Sequence, residues 1–176
     1  MRIKSTKFKG LKVIQSSNFK DQRGLFRENY KKQFLKNKNF IFGCVSISKK
    51  NVIRGLHLQT KFPQEKYVSV LKGSILDIAV DLRKKSKTFG KHFKVILSKN
   101  NSKSIFIPAG FAHGFLGLEK ENIIYYTNTN YRSKKHEVGI IWNDHDLKIK
   151  WPLKKPILSA KDKKNIKFKD FKKLYL

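Results

Sequence analysis

Apolar positions along the chain recur mostly at every second residue. In residues 76–82, Leu76, Ile78, Val80 and Leu82 alternate with Asp77, Ala79 and Asp81. That period places the larger side chains on one face of a half-buried β-strand. A second run, Tyr67, Val68, Ser69, Val70 and Leu71, precedes it across Lys72, Gly73 and Ser74. Gly73 supplies the positive φ of a tight turn, so the two runs are expected to form a hairpin. Two further runs, 93–97 (FKVIL) and 104–107 (SIFI), flank Lys99-Asn100-Asn101-Ser102, and 123–127 (IIYYT) follows a glycine-rich segment. Short strands at turn-punctuated spacing predict a mainly β chain folded as an antiparallel sandwich or barrel. Helix is expected only at 28–38 (ENYKKQFLKNK), where Tyr30, Phe34 and Leu35 share a face. The stretch 161–173 alternates lysine with Ile166, Phe168 and Phe171, and reads as a terminal strand or helix with a solvated lysine face.

Composition adds one puzzle to this picture. The 176 residues carry 41 Lys and Arg against 12 Asp and Glu, a formal charge of +29. Such a surplus raises a nucleic-acid partner first, because phosphate neutralisation supplies most non-specific affinity. The charges run from Arg2 to Lys173 without a helix-turn-helix, zinc-finger or RNA-binding aromatic motif, so no nucleic acid is expected. A hydrophobic fraction of 39% with 14 Phe is enough for a core. No linker or repeat divides the chain, and one domain over residues 1–176 is expected. No apolar run approaches the ~20 residues of a membrane span and the N-terminus lacks an apolar leader, so a cytoplasmic protein without membrane contact is expected. Cys44 is the single cysteine, which excludes an intramolecular disulfide and a cysteine-rich zinc site.

Three segments are more polar than packing requires. Arg54, His57 and Gln59 interrupt the apolar stretch 53–59, and His57 and Gln59 share a strand face. Residues 108–115 (PAGFAHGF) read as a turn ending in His113, which either orients His57 or braces the turn. Residues 21–28 (DQRGLFRE) form the third. Of the adjacent Tyr125 and Tyr126, one faces inward, and alternation does not say which. Trp142 and Trp151 read as core and corner residues. Taken alone, Asp162 reads as a surface carboxylate and Lys66 as one lysine among many.

A His-bearing strand pair, a glycine turn and Pro-x-Gly-x-x-His follow one another in the order found in cupin barrels. Many cupins hold a metal through His-x-His. Here Gln59 stands in place of the second imidazole, which removes one of the stronger divalent-metal ligands, so no metal is expected. Six motifs make the resemblance specific. They are Asp21-x-Arg23-Gly24 with Phe26-x-Glu28, then residues 51–59 (NVIRGLHLQ), and Gly73-x-x-x-Asp77-x-x-x-Asp81-Leu82-Arg83 continuing to Ser86, Thr88, Phe89 and Gly90. After these come residues 107–115 (IPAGFAHGF), 137–144 (EVGIIWND) and 158–162 (LSAKD). In this order the chain resembles the dTDP-4-dehydrorhamnose 3,5-epimerase family.

That resemblance implies an antiparallel jelly-roll barrel with short peripheral helices, acting without cofactor or metal as a homodimer. It implies a dTDP-linked 4-keto-6-deoxy sugar as substrate, inverted at C3 and C5. Both carbons flank the C4 ketone, so enolate resonance acidifies their hydrogens, and inversion needs a base on one face and a proton donor on the other. By resemblance His57 is the base, Asp162 orients it, Tyr126 is the donor and Lys66 stabilises the enolate. Arg23, Phe26, Glu28, Ser46, Arg54, Gln59, His113 and Tyr131 are the implied substrate-binding residues. The chain departs from the family where Phe42 and Cys44 replace a Gln and an Asn two residues apart, and where Thr127 replaces a common Lys. These departures keep open inversion at one carbon, another 4-keto sugar, a 3,4-ketoisomerase, and a non-catalytic polyanion-binding cupin.

Overall fold

A computed structural model describes residues 1–175, and residue 176, the last of the expected domain, lies outside the described residues. Its strands in chain order are β1 (Arg2–Ser5), β2 (Lys12–Gln15), β3 (Asn18–Asp21), β4 (Gly24–Arg27), β5 (Phe42–Lys49), β6 (Ile53–Gln59) and β7 (Lys66–Lys72). There follow β8 (Ser74–Asp81), β9 (His92–Ser98), β10 (Lys103–Ile107), β11 (Phe111–Gly117), β12 (Glu121–Asn128) and β13 (Glu137–Gly139), and one helix, α1 (Phe168–Tyr175), closes the described chain. One sheet has the order β1-β2-β10-β7-β12-β5 and a second the order β13-β6-β11-β8-β9, with β3 and β4 a separate hairpin. All pairings within the sheets are antiparallel. This is the expected jelly-roll of the cupin type.

The two sheets meet through alternate side chains. Val68, Val70, Ile105, Ile107 and Ile124 come from the first, and Ile75, Ala79, Leu97, Phe111 and Phe115 from the second, all buried in one cluster. The strand at Tyr67–Leu71 therefore forms as expected, but its partner differs. β7 pairs with β10 and β12, whereas β8 pairs with β9 and β11, so the turn at Gly73 carries the chain between sheets and no hairpin forms. Gly73 still has φ +77, and a Cβ there would lie 2.4 Å from the Glu121 carbonyl oxygen. Residues 99–102 likewise join strands of opposite sheets. Long-range pairing, which local turn chemistry does not encode, decides both.

β8 is also not half-buried. Ile78, Val80 and Leu82 face away from the inter-sheet core, yet they pack beneath Leu147, Phe168 and Phe171. The lysine-rich C-terminal stretch is thus a helix whose two phenylalanines cover the outer face of the second sheet. The expected helix at 28–38 is reduced to a 3-10 turn, Lys32–Leu35, with no side-chain cap. Such a short lysine-rich segment cannot offset nucleation by itself. Tyr30 instead packs edge-on against Phe40 and Tyr67.

Because β8 has polar residues on its core-facing side, Asp77 and Asp81 are both fully buried. Asp81 accepts hydrogen bonds from Arg83, Ser86 and Thr88, which wrap residues 83–88 around it. Burial acts to raise the Asp81 pKa, but these donors outweigh it and hold the carboxyl at about 2. Its folded value is depressed, so it stabilises the fold above the ordinary carboxylate range, and this contribution disappears as pH falls from about 4 to about 2. Asp81→Asn is expected to cost on the order of 2 kcal/mol at neutral pH and to flatten the stability profile between those values, read by urea unfolding across pH. An unchanged acid limb contradicts this role.

Candidate active site

β6 carries three polar side chains into or beside a cavity of about 360 Å³ between the sheets. Its backbone lies unusually close to β11, because glycines face one another there. A Cβ on Gly55 (φ +120) would stand 2.5 Å from the Gly114 Cα, and one on Gly114 would stand 2.7 Å from the Arg54 carbonyl. The same pairing sets His57 directly opposite His113. Residues 108–115 are therefore not a turn ending in histidine. The turn stops before Phe111, and His113 lies inside β11 and is buried.

The two histidines have separate carboxylates. His57 Nε2 lies 2.6 Å from Asp162 Oδ1. Asp162 sits at the start of a 3-10 turn, its backbone N–H donating to Ser159 Oγ at 3.0 Å. Burial acts to raise its pKa, but the bond and charge of His57, with Ser159 and Asn165, hold it below the usual carboxylate range. An ionised carboxylate only accepts, so His57 Nε2 carries the proton and, in the neutral ring, Nδ1 keeps the lone pair. His113 Nε2 lies 2.8 Å from Asp77 Oδ2, so His113 does not orient His57. Asp77 Oδ1 is buried without a hydrogen-bond partner.

The opposite wall comes from the first sheet. Tyr126 is flanked in register by Cys44 on β5 and Val68 on β7, and Asn128 by Phe42 and Lys66. Tyr126, Cys44, Phe42, Asn128 and Lys66 all line the cavity. This resolves the tyrosine pair, since the Tyr125 ring lies instead against Gly43. Burial pushes the Lys66 ammonium below its ordinary value, opposed by the charges of Glu137, Asp77 and Cys44. Burial likewise raises the Tyr126 phenol, so it holds its proton at neutral pH.

A third cluster stands at the rim. Glu137 accepts from Arg132 Nε at 2.8 Å and from Lys161, and it lies on β13 where that strand pairs with β6. Burial opposes its ionisation, yet Arg132, Lys161 and the nearby His57 hold its pKa at about 2. The carboxylate thus fixes two cations beside the cavity. Arg54, also on the lining, donates to Ser48 Oγ at 2.9 Å.

Comparison with known proteins places this arrangement. Residues 5–170 match the family described as dTDP-4-dehydrorhamnose 3,5-epimerase. The chain belongs to this family. A dTDP-4-dehydrorhamnose 3,5-epimerase of Shigella flexneri is 38% identical over 176 residues, covering 97% of each protein. The crystal structure of the Bacillus anthracis enzyme with TDP and PPi bound superposes with a TM-score of 0.91 at 39% identity, over 95% of this chain and 99% of that one. A Legionella pneumophila dTDP-6-deoxy-D-glucose-3,5-epimerase in complex with dTDP-4-keto-L-rhamnose gives 0.90 at 38%, over 94% and 92%.

Among the residues that the family resemblance singles out, His57, Asp162, Tyr126, Lys66, Arg54 and His113 converge on the cavity. Others do not. The Gln59 amide is taken up by Phe62 O, Tyr131 O and the Ser133 N–H, so it holds the loop after β12. Ser46 is buried beside Ser48. Tyr131 is 67% exposed and packs its ring 6.0 Å from Phe42. Arg23 and Phe26 lie on the exposed β3–β4 hairpin with Glu28 just beyond it, away from the cavity lining of their own chain. Arg23 is bound there to Asp21, and Glu28 to Lys31. Sequence reasoning gave no role to Arg132, Glu137, Lys161, Gln64, Asn128 or Ser159, all on the lining. Glu137, Ser159 and Lys161 stood inside the quoted motifs, whereas nothing in the local pattern marks Arg132. Trp151 donates its indole N–H to Trp142 O at 2.8 Å, a corner contact as expected.

Proposed function

We propose that the chain epimerises a nucleoside diphosphate 4-keto-6-deoxy sugar at carbons next to the ketone, with His57 as base. The observation that carries this reading is the 2.6 Å His57–Asp162 contact in a cavity also lined by Lys66 and Tyr126. His57 Nδ1 removes the hydrogen α to the ketone. The electron pair moves onto the ketone oxygen, and the Lys66 ammonium stabilises the developing enolate. Tyr126, raised in pKa and so still protonated, returns a proton to the same carbon from the other wall, which inverts it. The Asp162 carboxylate stabilises the imidazolium formed in the first step. Atoms and charge balance without any redox partner.

The active unit is a homodimer in this reading. The β3–β4 hairpin leaves Phe19 and Phe26 56% and 67% exposed, an apolar surface suited to a second copy of the chain. Across that contact Arg23, Phe26 and Glu28 would reach the cavity of the other subunit.

Incubation with dTDP-4-keto-6-deoxyglucose in heavy water tests the proposal, with light scattering on the same preparation expected to read the mass of two chains. Two deuterons incorporated indicate inversion at both carbons and one deuteron a mono-epimerase. A product with a displaced carbonyl indicates a ketoisomerase and refutes the epimerase. No exchange with this or related 4-keto nucleotide sugars also refutes it.

A further inference from the structure

Away from the active site, four lysines of the +29 surplus line a second cavity, of about 480 Å³. Lys7 and Lys9 come from the turn between β1 and β2, and Lys85 and Lys87 from the loop after β8. This cavity shares no lining residue with the one that holds His57. Both segments are fixed from within. Phe8, between the two N-terminal lysines, is fully buried with its ring edge-on to Phe111, and Thr6 Oγ1 accepts the Phe8 N–H while donating to the Leu11 carbonyl. In the other segment Ser86 and Thr88 each donate to the Asp81 carboxylate at 2.6 Å. Arg83 joins the two. Its Nη1 donates to the Lys9 carbonyl at 2.9 Å, its Nε and Nη2 donate to Asp81, and its guanidinium lies 4.6 Å from the centre of the Phe111 ring. The backbone that presents the lysines is therefore set before any ligand arrives.

Asp81 is the only carboxylate in either segment, and it is fully buried with Arg83 offsetting its charge. Lys7, Lys9, Lys85 and Lys87 are exposed, and none takes part in an ion pair printed among the described residues. Lys7 rests over the Phe8 ring at 5.7 Å. Ammonium groups gathered around one cavity without a counter-charge repel one another, so a bound anion relieves that repulsion as well as making contacts. Lysine is a point charge with freely turning donors, so such a site reads charge density and not the outline of the ligand. A chain of phosphates meets lysines of both segments at once, which a single phosphate does not. No aromatic face is offered, because Phe8 and Phe111 are 0% and 4% exposed, and the stacking that single-stranded nucleic acid uses is absent. We propose that this cavity binds an inorganic oligophosphate of three or more phosphates, held by Lys7, Lys9, Lys85 and Lys87 and separate from the active site.

Calorimetric titration of sodium tripolyphosphate into the full chain at ~150 mM salt is expected to show saturable binding of one ligand per chain. Replacing Lys7, Lys9, Lys85 and Lys87 together by Gln is expected to weaken it at least about tenfold, the sum of four exposed ion pairs of ordinary strength. A control with the same loss of charge, Lys36, Lys50, Lys154 and Lys173 to Gln, should bind within about twofold of the unaltered chain. Orthophosphate is expected to bind at least about tenfold more weakly than tripolyphosphate. Urea midpoints of the three proteins should coincide without ligand, since the replaced side chains are exposed, and tripolyphosphate should raise the midpoint of the unaltered chain and the control alone. Equal weakening in both variants means diffuse surface charge and overturns the proposal. So do the lack of saturable binding and orthophosphate binding as tight as that of tripolyphosphate. An oligothymidylate with the same number of phosphates is expected to bind more weakly, and a tighter one would assign the site to nucleic acid instead.

Discussion

His57→Ala is expected to lower the rate of solvent deuterium incorporation into the 4-keto sugar by a factor of about 10²–10⁴, the ordinary contribution of a positioned general base. Substrate binding should change far less, because the cations Arg132, Lys161 and Arg54 remain. The substitution also strips a donor from the buried Asp162 carboxylate, which destabilises the fold whatever happens to catalysis. His57→Asn answers that objection, since its amide can still donate to Asp162 but has no basic nitrogen. Both variants should bind nucleotide and lack exchange. Near-normal exchange in either removes His57 from the role of base. Asp162→Asn is expected to behave similarly through a different cause, because a carboxamide no longer enforces the ring form that leaves Nδ1 unprotonated.

Gly55→Ala should have the largest effect on stability. An alanine Cβ there would stand 2.5 Å from the Gly114 Cα and 2.7 Å from the His113 carbonyl oxygen, backbone atoms of a central strand that cannot swing aside. The φ of +120 adds strain for any residue with a Cβ. Overpacking of about 1–3 kcal/mol and backbone strain of about 1–3 kcal/mol together approach the stability of many domains. The variant is expected to be largely unfolded, or to have a much lower urea midpoint and a separated His57–His113 register. A loss below about 1 kcal/mol by urea unfolding would mean that β6 and β11 are not locked as described. The contact also explains a sequence feature, for Gly55, two residues before His57, and Gly114, directly after His113, let two strands approach closely where both imidazoles line the cavity.

Local pattern made much of the fold legible. The runs containing Val68, Ile78, Val95, Ile105 and Ile124 all became strands, because period two reports the pleat directly. What failed was pairing and burial. Gly73 looks like a hairpin glycine, and its conformation is as expected, but the strands on either side join different sheets. β8 looked half-buried because its smaller face holds Asp77, Ala79 and Asp81. That face turns toward the core, where residues 83–88 satisfy Asp81 and His113 bonds one oxygen of Asp77, while Phe168 and Phe171 cover the opposite face.

The sequence by itself determined the strand content, the absence of a cysteine or His-x-His metal motif, and, through six ordered motifs, the resemblance that singled out His57, Asp162, Tyr126 and Lys66. Those signals lie in residue type and short spacing. Only the tertiary structure decided that a carboxylate in a lysine-rich tail is buried against a histidine 105 positions away. The same holds for Tyr126 rather than Tyr125 facing the cavity, and for Glu137 fixing Arg132 and Lys161 at its rim. Each is a contact between segments distant in the chain, set by which strands pair and which face turns inward, and a local pattern holds no record of either. The +29 charge is subject to the same division. The sequence counts it, but the fold selects the few cations, Lys66, Arg54, Arg132 and Lys161, that line the cavity.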